Sequence, residues 1–146
     1  MRRPSAATRA AEVQIFAIVS GATQRLVWHS QGATGVAKVV FSADERFAAV
    51  AYGRQTFWID LASAKVTPVA LEAEVTALAI VPGREQLAVG LQNGVTRVFA
   101  GATAEEIGLA RPHGASVLEI DVAADGRHLL TRGADSQLAV WEVANG

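Results

Sequence analysis

The sequence predicts an all-β fold of antiparallel four-stranded sheets. Three observations predict it. Apolar residues come in short runs rich in Val, Ile and Leu, as in "VAKVVFS", "FAAVAYG", "VTALAIVPG", "QLAVGLQNG", "VTRVFAG" and "HLLTRG", with Gly, Asp, Asn and Pro between them. Several runs alternate with period two, Val117, Glu119 and Asp121 against Leu118, Ile120 and Val122. Short alternating runs at even spacing are the pattern of half-buried strands. The pattern also recurs about every forty residues, which is the length of a four-stranded blade of a β-propeller.

The repeat fixes the organisation. With Val36, Val75 and Val117 aligned, Phe41, Ile80 and Val122 fall together, then Arg54, Asn93 and Asp135, then Phe99 and Trp141. The first unit reaches its equivalent, Ile59, one residue early, which predicts a shorter turn there. A second echo, "IVSGAT" at 18–23 against "VFAGAT" at 98–103, spans two repeat lengths.

Taken in order, residues 1–12 read as a basic flexible tail. Residues 13–30 read as strands c and d of an incomplete blade. Residues 36–70 and 75–110 read as whole blades with strands a to d. Residues 113–146 read as a last blade lacking its outer strand. "QNG" at 92–94 and "ADG" at 124–126 signal tight turns, because Gly after Asn or Asp accepts positive φ. "GATAEEIGLA" is helix-like but short and holds two glycines, so it reads as strand plus loop. The expected product is an open or oligomer-completed partial β-propeller. Its exposed blade faces and strand edges invite association.

Composition narrows the function classes. Hydrophobic residues make up 51% of the chain and charged ones 18%, too apolar for a disordered segment. No run reaches the roughly 18 uncharged apolar residues of a membrane-crossing helix. A net charge of −1, from 13 bases and 14 acids, gives no general attraction to nucleic acid or an acidic membrane, and neither is expected as a partner. Cysteine is absent, which excludes disulfides, thiolate metal sites and cysteine nucleophiles. A basic start precedes a short apolar run, but Glu12 and Gln14 interrupt it and no small-residue cleavage site follows. A cytoplasmic location is expected; periplasmic or secreted surroundings stay open.

The last unit, "PHGASVLEIDVAADGRHLLTRGADSQLAVWEVANG", resembles a WD repeat, the blade unit of many β-propellers. His113 stands four residues before Val117, "AADGR" is similar to that family's turn, and Thr131, Asp135 and Trp141 match its hydroxyl, turn-acid and strand-c Trp positions. The resemblance implies that His113, Thr131, Asp135 and Trp141 form one hydrogen-bonded structural network. It is weaker upstream, where Arg54 and Asn93 stand at the turn acid, Phe99 stands at the Trp, and no His precedes Val75. Propellers of this family often end on strand c, so the resemblance implies the C-terminal part of a larger propeller.

No catalytic constellation is expected. The three His and several Ser lack a G-x-S-x-G elbow, and His113 with Asp135 already has a structural role. No metal is expected, since no two pairs of ligands stand at ligating spacing, and the adjacent Glu105 and Glu106 point to opposite sides of a strand. No cofactor is expected either. The resemblance implies a non-catalytic scaffold or sensor module that binds protein, with Arg54, Gln92, Arg111 and Arg132 near the loops of the commonly used face. A second chain completing the ring, or self-association, is a further expectation. The alternative is the propeller domain of a hydrolase-type or quinoprotein-type enzyme whose catalytic residues lie outside this chain.

Overall fold

The computed structural model describes the backbone of residues 14–20, 23–29 and 38–143, and side chains within 38–143. The expected tail at 1–12, Val36 and residues 144–146 lie outside the described residues. Among the described residues the structure is all-β and holds no helix.

Thirteen strands are described: β1 (Gln14–Ser20), β2 (Thr23–His29), β3 (Lys38–Phe41), β4 (Phe47–Tyr52), β5 (Gln55–Asp60), β6 (Val66–Ala70), β7 (Val75–Val81), β8 (Gln86–Leu91), β9 (Thr96–Ala100), β10 (Glu106–Ala110), β11 (Val117–Val122), β12 (His128–Gly133) and β13 (Leu138–Glu142). They form four antiparallel sheets in chain order. These are the pair β1–β2, two four-stranded sheets (β3 to β6 and β7 to β10) and a three-stranded sheet (β11 to β13). Each sheet is a meander, so short turns suffice. None is closed on itself. Inner strands β3, β7 and β11 lie side by side, which makes the sheets successive blades of a partial propeller.

The repeat is literal in the pairing. Ala48 faces Ile59, Leu87 faces Phe99 and Leu129 faces Trp141 across equivalent strand pairs. The early arrival of Ile59 has a plain cause. Tyr52 pairs with Gln55 around a two-residue hairpin, whereas the second sheet closes through Gln92, Asn93 and Gly94. There the Asn93 side-chain oxygen accepts the Val95 N–H at 3.1 Å, the local bond that makes Asn a good turn residue. "GATAEEIGLA" resolves into a turn followed by β10.

The apolar groups sit between sheets. One cluster joins Phe47, Ala49, Ala51 and Trp58 of the first four-stranded sheet to Leu87, Val89, Leu91 and Phe99 of the second. Another joins Ala88 and Val98 of the second to Leu129 of the third and Val143 just beyond it, with Trp141 packed against them. A third, Ala48, Val50 and Ile59, lies on the other face of the first four-stranded sheet. Period-two alternation therefore serves two interfaces at once in β8, which sends Leu87, Val89 and Leu91 to the sheet before it and Ala88 to the sheet after it.

Trp58 anchors the first interface. It is fully buried, stacks on Phe47 with ring centroids 4.9 Å apart, and lies so close to Gly101 that a Cβ there would sit 2.1 Å from the indole. A bare backbone at 101 is thus a condition of the indole's position. Trp58→Ala is expected to cost about 3–5 kcal/mol, the usual range for emptying an aromatic core site. The check is urea unfolding, where the midpoint should fall at unchanged slope.

Candidate functional site

Meander topology sorts the connections to two ends. Turns between a and b and between c and d share one end; b–c turns and d–a connections share the other. Three of the four residues expected on a binding face, Arg54, Gln92 and Arg111, are exposed at the second end: Arg54 in the β4–β5 hairpin, Gln92 in the β8–β9 turn and Arg111 after β10. Arg132 is placed differently. It is a strand residue of β12, on the outward face of the last sheet, and its Nε lies 3.2 Å from Glu119 Oε2 on the neighbouring strand. Its closeness in sequence to a turn suggests a loop position, but pairing with Leu138 holds it in the sheet.

The last sheet carries the polar network at the same end. Asp135 Oδ1 lies 3.1 Å from His113 Nδ1, and His113 Nε2 lies 2.9 Å from Thr131 Oγ1. A carboxylate only accepts, so Nδ1 carries a proton toward Asp135, and Nε2 shares a second hydrogen bond with the Thr131 hydroxyl. Asp135 also accepts the N–H groups of Gln137 at 3.0 Å and Gly114 at 3.1 Å. One carboxylate thereby ties the β12–β13 turn to the connection entering β11. Desolvation works against ionising Asp135. The Gln137 and Gly114 amides and the His113 ring outweigh it together and hold the carboxyl below its ordinary value.

Trp141, the fourth residue implied by the resemblance, does not join the network. Its Nε1 is buried with no hydrogen-bond partner among the described residues. Trp141 pairs with Leu129, two positions along β12 from Thr131.

His128 also has a structural partner. His128 Nδ1 lies 2.9 Å from Asp125 Oδ2 within the a–b turn of the last sheet. His113 has no exposed side-chain surface, so its ring cannot meet a dissolved substrate. Among the described residues, no three His, Asp or Glu side chains gather at metal-ligand spacing, and no helix is long and apolar enough to cross a membrane.

Two features are not visible in the sequence. Arg97 on β9 makes a bidentate contact with Glu72, with Nε 2.9 and 3.0 Å from its two oxygens, and also bonds Glu106. The Arg97 bond holds the Glu72 carboxyl below its ordinary value, and the paired acids raise the guanidinium in turn. This cluster fastens the connection between the two four-stranded sheets to strand c of the second. The other feature is a cleft of about 360 Å³ at the a–b turn end, between residues 42–47 and 80–85. There Arg46 lies 5.0 Å from the Phe47 ring centroid and 3.4 Å from Glu85. No sequence signal marks either, because each joins residues far apart in the chain.

His113→Ala removes the link between Asp135 and Thr131 and leaves the buried hydroxyl unpaired, at an expected cost of about 1–3 kcal/mol, measurable by urea unfolding. Acid should act through Asp135. Its folded pKa lies below the unfolded value of 3.8, so its contribution is complete above 3.8 and is lost as pH falls through the folded value. Melting temperatures followed down to about pH 3 should show this loss, and Asp135→Asn should remove that part of the acid sensitivity.

No family model matches the sequence, and no curated protein matches it significantly. Solved structures do. The crystal structure of the computationally designed Ika4 protein superposes with a TM-score of 0.67 at 15% identity, over 82% of this chain and 74% of that one. A chain of the crystal structure of the Mitotic Checkpoint Complex superposes with a TM-score of 0.72 at 21% identity, over 92% of this chain and 43% of that one. This chain therefore spans less than half of that neighbour. At such identities the likeness is one of fold, and it supports the propeller-like stacking of the sheets.

Proposed function

We propose that this chain is a non-catalytic, protein-binding module of the WD-repeat type. The observation that carries the reading is the division of labour at the b–c and d–a end. There His113 and Asp135 are committed to holding the last sheet together, while Arg54, Gln92 and Arg111 project from three separate connections. A rigid scaffold presenting dispersed Arg and amide groups on loops suits recognition of an extended protein surface, where Arg is over-represented among the residues that dominate binding. The likeness to a chain from a multi-protein complex supports the same reading by analogy of fold, since one fold hosts many tasks.

The test is site-directed photo-crosslinking from position 92 in extracts of the native host, followed by affinity measurement with the captured protein. Arg54→Ala and Arg111→Ala should each weaken that complex, by about 30-fold where the side chain is a hot spot worth about 2 kcal/mol. Arg46→Ala, at the opposite end, should leave it unchanged. Binding that responds to Arg46 and ignores Arg54 and Arg111 would refute the assignment.

A further inference from the structure

The β8–β9 turn holds a reactive sequence in a closed geometry. The chain has two Asn, Asn93 and Asn145, and each is followed by Gly. Asn-Gly is a sequence at which the main chain can attack the side-chain amide, because Gly puts no Cβ beside the attacking nitrogen. Asn93 is exposed, so water reaches it, whereas Gly94 is buried. Gly94 has a φ of +87°, and a Cβ there would lie 2.1 Å from the His113 carbonyl oxygen and 2.9 Å from that of Ala115. The residue is therefore pressed against the connection that enters β11.

Hydrogen bonds hold this turn shut from within and from both sides. The Gly94 N–H donates to the Leu91 carbonyl at 3.1 Å, and the Leu91 N–H donates to the Val95 carbonyl at 2.9 Å. The Asn93 side-chain oxygen accepts the Val95 N–H at 3.1 Å. Two ties reach the neighbouring connections. The Gln92 N–H donates to the Glu74 carbonyl at 2.8 Å, and the Ser116 hydroxyl donates to the Gln92 carbonyl at 3.1 Å. Cyclisation undoes the local bonds. The Gly94 nitrogen must lose the proton it gives to Leu91, and the Asn93 side chain must leave Val95 to bring its Cγ onto that nitrogen.

We propose that Asn93 is a deamidation site gated by opening of this turn, and that its isoaspartate product cannot close the turn again. In the open turn the deprotonated Gly94 nitrogen attacks Asn93 Cγ. A C–N bond forms to Gly94 as the bond to the side-chain nitrogen breaks, and ammonia leaves with the proton that Gly94 gave up. Water then opens the five-membered imide ring. Breaking the bond at Cγ gives Asp. Breaking the bond at the main-chain carbonyl gives isoaspartate, whose main chain is longer by one carbon. The net change consumes water and releases ammonia, with no oxidation. Because the reaction starts from the opened turn, its rate in the folded chain is the unfolded rate scaled by the fraction open. Asp fits the closed turn, since its carboxylate can accept the Val95 N–H as Asp135 accepts the Gln137 N–H at the equivalent position. The longer main chain does not fit, because Leu91 and Val95 are bonded across the turn and Gly94 lies flush against the His113 carbonyl. The isoaspartate chain therefore loses a tie between the second four-stranded sheet and the last sheet. The inference is independent of what the loop end binds.

Two measurements on the whole chain test it, both with Asn145→Gln so that Asn93 is the sole Asn before a Gly. The first follows conversion at position 93 by peptide mapping and mass spectrometry, at one pH and temperature, in the folded chain and in urea. Conversion should be slower in the folded chain by about tenfold or more. Ser116→Ala releases one tie and should speed conversion in the folded chain while leaving the rate in urea unchanged. Equal rates in the two states, or a folded rate indifferent to Ser116→Ala, would overturn the gating. The second measurement ages the chain in urea, refolds it, separates the aspartate and isoaspartate forms and compares their amide hydrogen exchange. Asn93→Asp should keep native protection at Gln92 and Gly94, as should the aged aspartate form. The isoaspartate form should lose protection at both amides, or fail to refold where the aspartate form succeeds. Native protection at both amides in the isoaspartate form would show that the lengthened turn closes after all, and loss of protection in Asn93→Asp would show that Asp does not fit; either result overturns the assignment of the products.

Discussion

Everything in this structure depends on one sheet lying close against the next. A single four-stranded meander has two faces and can satisfy neither alone. Strand β8 shows this plainly: Leu87, Val89 and Leu91 serve one interface, Ala88 the other, and all are buried. The short side chains let large ones reach across, so Leu87, Val89 and Leu91 fill the space that Ala49 and Ala51 leave. The forty-residue repeat is the sequence record of this alternation of small and large.

Polar groups obey the same constraint, and sheets differ in how they meet it. Thr131 in the last sheet is equivalent to Val89 and Val50, and Trp141 is equivalent to Phe99 and Ile59. Where no His enters ahead of the inner strand, the hydroxyl and the indole are both gone and the positions are apolar. A buried polar network is favourable only when nearly complete, so removing its members together costs less than removing one. The last sheet keeps His113, Thr131 and Asp135 mutually satisfied and leaves one group, the Trp141 N–H, unpaired.

The fold was legible because periodicity is a property of the chain itself. Val75 and Val117 begin their strands as the repeat places them, and the Asn93 and Asp135 positions fall in turns. The His113, Thr131 and Asp135 bonds were legible because the resemblance carries them residue by residue. Trp141 was not, since a hydrogen bond depends on ring orientation, which spacing does not encode. Arg132 is expected near a loop, and it lies one residue before the end of β12. Strand pairing assigns it to a face, and the clue was already present in the alignment of Arg132 with Gly90. The Arg97, Glu72 and Glu106 cluster had no clue at all, because an ion pair between residues 25 positions apart leaves no periodic trace in the sequence.

Stacking also determines where function can vary. A residue between sheets is constrained from both sides, by the pairing within its own sheet and by the shape of the next. Gly90 and Gly101 each have a neighbour's side chain where a Cβ would go, so those positions record packing. The b–c turns and d–a connections are constrained at one side only. Their backbones are pinned, as when the Leu71 N–H bonds the Arg54 carbonyl at 2.8 Å and the Gln92 N–H bonds the Glu74 carbonyl at 2.8 Å. Side chains such as Arg54, Gln92 and Arg111 meet solvent. Arg54, Asn93 and Asp135 occupy one repeat position with three different chemistries, only one of which completes a network within its sheet. A fixed backbone with a freely chosen side chain is what a recognition surface requires, and in this chain that combination occurs at the loop end.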